Sequence, residues 1–118
     1  MARSVIVAVS VLVIISVASV VSFYYTENTV AEFSERLEKA GSDPIKLGEI
    51  SDLWDKRKKP LMLIINHRDL ENISVSLIRA HREAESGRLD MALEESDVAK
   101  FLMEELVERE RLSLENIL

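Results

Sequence analysis

The sequence predicts an all-α protein: an N-terminal transmembrane helix that continues into a small antiparallel helical bundle. Three observations lead there. Val5 to Tyr25 contains no charged residue in a chain of which 31% is charged. Beyond it, apolar residues recur at three- and four-residue spacing, the period of an amphipathic helix. Hydrophobic content of 47% with only three Gly and two Pro argues against disorder.

The uncharged run is taken as a membrane anchor, residues 1–26. About 21 residues at 1.5 Å rise span roughly 31 Å, close to the hydrocarbon thickness of a bilayer. Val5 and Ile14 lie in the run, and Tyr24 and Tyr25, with Phe23 before them, close it where amphipathic rings favour the interface. A cleaved signal peptide is the competing reading, since Ser16-Val17-Ala18 offers small residues to a peptidase. That site lies inside an apolar run that continues through Val20 and Val21. A buried core helix would need several other helices to cover every face, and the remaining chain is too short and polar to supply them. Arg3 precedes the run, whereas Glu27, Glu32 and Glu35 follow it before Arg36. This asymmetry places the N-terminus in the cytoplasm and residues 27–118 outside it. The absence of cysteine suits either side.

After residue 26 the chain holds all 21 acidic residues and 14 of the 15 basic ones, a balance of about −7. General nucleic-acid binding is disfavoured by that sign. A segment of this size buries a modest core and gains from a partner surface.

Each element has its own signature. Val30, Phe33, Leu37 and Ala40 carry the anchor on as an amphipathic helix over about 27–40. Gly41-Ser42-Asp43-Pro44 supplies a C-terminal Gly, a capping side chain and a Pro suited to the first helical position. The second helix is expected over 44–65, with Leu47, Ile50, Trp54, Leu61 and Ile64 on one seam, Arg57 interrupting it, and Pro60 kinking without ending it. Asn66 caps the third helix, 67–86, with Asp69 completing a shortened capping box. Leu70, Ile73, Leu77, Ala80 and Ala84 form its stripe, which stops at Ser86-Gly87. The fourth helix is expected over 89–111, with Ala92, Ala99, Leu102, Met103 and Leu106 inward and an apolar tail over 112–118. Helices of roughly equal length joined by short connections imply an up-down bundle. The third and fourth helices also resemble a single tetratricopeptide hairpin, but such arrays need several units.

No motif names a chemistry. His67 and Glu71 are four apart, as are His81 and Glu85, a spacing that could offer two metal ligands. The two histidines are about 21 Å apart along a helix and cannot share an ion, and surface polar pairs explain them better. Serines lack a Gly-flanked elbow, no Gly-rich loop could cradle phosphate, and neighbouring acids such as Glu94-Glu95 point to different parts of a helix. The expectation is a non-enzyme without metal or cofactor. Asn72-Ile73-Ser74 is a formal glycosylation sequon inside a predicted helix. Trp54 reads as core.

Lys56-Arg57-Lys58-Lys59, followed by Leu61 to Ile65, is the most suggestive stretch. If the second helix descends antiparallel to the first, these cations return to headgroup height and could meet anionic lipid. In the competing account Leu61 to Ile65 complete the core and the basic residues form a solvated face.

The carboxyl end, Leu112-Ser113-Leu114-Glu115-Asn116-Ile117-Leu118, and the central Asn66-His67-Arg68-Asp69-Leu70-Glu71-Asn72-Ile73 carry a resemblance. Together with the N-terminal run and the mid-chain Trp, they make the chain similar to the domain of unknown function 4363 family, small single-span proteins of Gram-positive, often spore-forming bacteria. The chain departs from that pattern at Asn66, where an Asp is usual, and at Pro60, where a second aromatic is common. Asn caps a helix as well as Asp does. The resemblance implies no activity. It implies a setting beside a small multi-span membrane protein, and so an accessory role.

The functional expectation is a membrane-tethered helical interaction module docking on an integral-membrane partner, with Leu114, Asn116, Ile117 and Leu118 as the docking tail. The alternative is a lipid-surface or envelope-binding module acting through Lys56 to Lys59. Association with a second copy stays open.

Overall fold

The computed structural model describes residues 2–117, and of Ile117 only the backbone. Four helices make up the fold: α1 (Ala2–Ala40), α2 (Pro44–Leu61), α3 (His67–Glu85) and α4 (Leu89–Ile117). They form a rod 68 Å long and about 22 Å across. α1 runs as one helix of 39 residues from the apolar segment to the far end of the bundle, and its N-terminal part is long and apolar enough to cross a membrane.

The connections follow the expected chemistry. Gly41 and Gly87 adopt φ of +55° and +79°, the left-handed region open to Gly at no steric cost, and so end α1 and the turn after α3. Asp43 caps α2 by accepting from the backbone N–H of Ile45 and Lys46 at 3.0 and 3.4 Å, with Pro44 at the first helical position. Asn66 caps α3 through Arg68 N–H at 2.8 Å. Asp69 does not complete a capping box. Its carboxylate instead accepts from Arg109 of α4 at 2.8 Å, because an interhelix guanidinium offers a charged donor where a backbone N–H offers a neutral one.

Each helix packs on two neighbours in the cyclic order α1, α2, α3, α4, an antiparallel four-helix ring that closes α4 back on α1. The tetratricopeptide-like pair is therefore two sides of a bundle. The core takes Val30, Phe33, Leu37 and Ala40 from α1, Leu47, Ile50, Trp54 and Leu61 from α2, the whole expected stripe of α3, and Ala92, Ala99, Met103 and Leu106 from α4. Leu102 packs at its margin. Trp54 is fully buried, with Phe33 edge-to-face on it at 5.2 Å and 86°. Its indole N–H donates to Ser74 Oγ at 3.0 Å, so the polar end of the largest core side chain is satisfied.

Two boundaries differ from expectation. α2 ends at Leu61, not Ile65, one residue after Pro60, whose missing N–H and ring leave the last turn unsupported. Residues 62–65 follow as tight turns, with Leu63 N–H on Pro60 C=O at 3.3 Å and Ile64 N–H on Leu61 C=O at 3.1 Å. Ile65 N–H nonetheless bonds to Leu61 C=O at 2.8 Å, a four-residue spacing that sets it over buried Leu61, so that Ile65, 7% exposed, takes the core place expected for Ile64, which is 47% exposed. At the other end, the expected tail from Leu112 is helical. α4 continues through it to Ile117, making 29 residues.

Candidate functional site

The chemistry-bearing residues collect at one end of the rod, where the apolar part of α1 enters the bundle. Antiparallel packing brings three things to this base: the carboxyl end of α2, the α2–α3 turn and the last turns of α4. Their height along α1 is fixed by contacts. The Arg111 guanidinium lies 5.9 Å from the Phe23 ring centroid. Ile64 of the turn, Glu110, Ser113 and Leu114 of α4, and Ser19 and Ser22 of α1 together line a cavity of about 200 Å³.

The basic run Lys56–Lys59 is divided by the fold. Arg57 donates two hydrogen bonds to the Glu32 carboxylate, at 2.9 and 3.3 Å, tying α2 to α1. Glu32 also receives Arg36, one turn on. Lys58, only 13% exposed, donates to Glu71 at 2.9 Å and to Ser74 at 3.2 Å, and lies 3.2 Å from Asp55. Burial works against its ammonium, but the bonds to Glu71 and Asp55 outweigh it and hold Lys58 above the usual lysine range. Lys56 and Lys59 are exposed. The solvated-face account therefore fits neither paired residue, and the lipid account keeps two of its four cations.

Ser74 is the junction of this network. Its hydroxyl accepts from Trp54 and Lys58 and donates to Leu70 C=O at 3.2 Å, so one small buried side chain joins α2 to α3. In the sequon containing it, Asn72 is exposed while Ile73 and Ser74 are buried within α3.

The histidine pairs sit apart. His67 Nε2 is 4.0 Å from a Glu71 oxygen already engaged by Lys58. His81 Nδ1 lies 2.9 Å from Pro44 C=O and its Nε2 lies 2.9 Å from Glu85, which pins the start of α2 to α3. Among the described residues no group of three or more His, Asp or Glu is arranged to hold a metal.

The anchor residues Val5, Ile14, Tyr24 and Tyr25 are all exposed on α1, as lipid-facing side chains would be. Of the expected docking tail, Leu114 is half-buried against the base cavity and Asn116 is exposed on α4. The Ile117 side chain and Leu118 lie outside the described residues.

Glu110 escaped the sequence reading. It follows Met103 by seven residues and Leu106 by four, so it occupies the next inward position of the α4 seam. There it lines the base cavity with Ser19, Ser22 and Ser113 as well as Ile64 and Leu114, and burial pushes its carboxyl above the usual carboxylate range. The signal was a carboxylate in phase with a core stripe, opposite serines in phase with Phe23, Thr26 and Val30.

A family model matches residues 20–117, described as a domain of unknown function (DUF4363). The chain belongs to this family. The match begins at the height where α1 first packs against the bundle, so the family corresponds to the bundle and the end of the apolar segment. No curated protein and no solved structure matches the chain.

Proposed function

We propose that this protein is a non-catalytic, membrane-tethered interaction module, an accessory subunit that docks on an integral-membrane partner with its bundle outside the cytoplasm. The observation that carries the reading is the continuity of α1. One helix forms both the apolar segment and a wall of the core, so no flexible linker separates anchor from bundle, and the bundle is presented at fixed height and orientation. A rigid platform of that kind suits docking on another membrane protein, because the cost of orienting it is already met in the fold.

The docking face assigned here is the outward side of α4, extending the tail upward. Phe101, Glu105, Glu108, Leu112 and Asn116 recur at three- and four-residue spacing, and Phe101 and Leu112 are 58% and 57% exposed. Apolar anchors among carboxylates suit a partner loop with basic and apolar residues. A photo-reactive residue at Phe101 should cross-link an integral-membrane protein in intact native membranes, whereas one at Ile45, exposed at the opposite end, should not. Equal yields from both positions would refute the docking face.

Lipid binding through Lys56–Lys59 is the second reading. It is narrowed to Lys56 and Lys59, because Arg57 and Lys58 are engaged by Glu32 and Glu71.

A further inference from the structure

From Ala2 through Ala18 only Ser16 is other than exposed, whereas Ser19, Val20 and Ser22 are half-buried and Phe23 is buried. The stretch of α1 free to meet lipid on all sides is therefore shorter than the uncharged run suggests. Seventeen residues rise about 26 Å, against a hydrocarbon thickness of about 30 Å. If the bundle stood wholly above the bilayer, the membrane would have to thin by several ångströms around it. The base of the bundle supplies what is missing. The α2–α3 turn reaches the height of Ser19 and Ser22, because Ile64 shares a cavity with them. That places it about 5 to 9 Å on the membrane side of Tyr25. At this height the fold exposes apolar side chains at the turn, Leu63, 88% exposed, and Ile64, and Tyr24 is exposed on α1. A soluble end cap would not place its barest leucine at the tip of a tight turn, and Pro60 and the turn bonds hold it there.

The charges around the base are placed to match. Lys59, at the end of α2, and Arg68, in the first turn of α3, are exposed and make no ion pair among the described residues. Arg111 is held by Glu108 at 2.8 Å and by the Phe23 face, Arg109 is held by Asp69, Glu110 is half-buried in the base cavity, and Glu115 is exposed on the last turn of α4. Long basic side chains flanking an immersed apolar turn can reach up to lipid phosphate while their stems stay in hydrocarbon.

We infer that the base of the bundle is a second membrane-contacting surface, in which Leu63 and Ile64 are immersed at the headgroup boundary of the bilayer that α1 crosses, with Lys59 and Arg68 on lipid phosphate. The inference rests on α1 spanning that bilayer. It deepens the tethered-module reading: the bundle is held at two points, the helix and its own underside, which fixes its tilt as well as its height.

The chain has no native cysteine, so single-cysteine variants of the full-length protein report one position each. Leu63→Cys, Ile45→Cys and Ile14→Cys, each carrying a polarity-sensitive fluorophore, would be reconstituted into mixed phosphatidylcholine–phosphatidylglycerol vesicles. Nitroxide quenchers would be placed at the headgroup or deep in the acyl chain. Position 63 is expected to be quenched at least threefold more by the headgroup nitroxide than position 45, and position 14 mainly by the deep one. Lys59→Glu with Arg68→Glu should reduce quenching at 63 at least twofold. Quenching at 63 no greater than at 45, with position 14 still deep, overturns the seating and leaves the span standing. Loss of deep quenching at 14 overturns the span, and the seating with it. Unchanged quenching in the charge-reversed variant overturns the phosphate contacts. Leu63, Lys59 and Arg68 are all exposed, so these changes spare the core, and unaltered Trp54 emission confirms it in each variant.

Discussion

Ile64 and Ile65 are adjacent, chemically identical and differ only in where the turn after Pro60 aims them, so truncating each in turn measures what that turn contributes. Ile65 is 7% exposed and packs with Leu61, Leu70 and the rest of the core, whereas Ile64 keeps almost half its surface open. Ile65→Ala removes buried methylenes and leaves a cavity that a close-packed core fills only in part, a loss of about 2–4 kcal/mol. Ile64→Ala removes the same atoms from a half-wet site on the rim of a cavity, a loss of about 1 kcal/mol or less at 25 cal/mol per Å². For a bundle of this size each kcal/mol moves the melting temperature by roughly 4–8 °C, so Ile65→Ala should lower it by about 10–25 °C and Ile64→Ala by no more than about 8 °C. Trp54, the sole tryptophan and fully buried, provides the signal: its emission in the full-length protein in detergent micelles, followed against temperature, reports loss of the core. If Ile64→Ala costs as much as Ile65→Ala, Ile65 does not hold that core place and the helical seam reaches Ile64 after all.

Gly48→Ala should destabilise the bundle despite the better helix propensity of Ala. The new Cβ would lie 2.8 Å from His81 Cε1, so the imidazole must leave Pro44 C=O, and the melting temperature should fall unless His81→Ala is present in the same chain. Ser74→Ala should cost about 1–3 kcal/mol, because the Trp54 N–H and one Lys58 bond lose their buried acceptor, and a melt followed by Trp54 emission measures it. Glu110→Gln should stabilise the protein in a pH-dependent way. Since burial raises the folded-state value above the usual 4.5, the carboxyl favours the fold below that pH and loses this contribution as pH rises and it ionises. Melting temperatures of the two proteins should coincide near pH 4 and separate in favour of Gln by pH 8; a constant offset would show that ionisation plays no part.

Much of the fold is local and so is written in the chain. An uncharged run of bilayer length, a Gly-Ser-Asp-Pro break and Asn66 before a strongly periodic stripe each act within one or two helical turns. That is why α1, the start of α2 and all of α3 fall where periodicity places them, and why Phe33, Trp54, Leu70 and Leu77 are core residues. What sequence alone left open are the positions where several elements compete for one group. Pro60 read as a kink, because whether a helix survives a lost hydrogen bond depends on what packs beyond it; here Ile65, held over Leu61 by its N–H bond to that carbonyl, fills the core beyond the end of α2. Asp69 read as half of a capping box, yet Arg109, 40 residues away, is the stronger donor. The four basic residues at 56–59 read as one patch, but rotation along a helix points Arg57 at Glu32 of α1 and Lys58 at Glu71 of α3, leaving Lys56 and Lys59 exposed. The height of the α2–α3 turn against Ser19 and Ser22, and the position of Glu110 facing them, follow from antiparallel packing over four helices. Periodicity determines which face of a helix is buried; only the partner across the interface determines what that face meets.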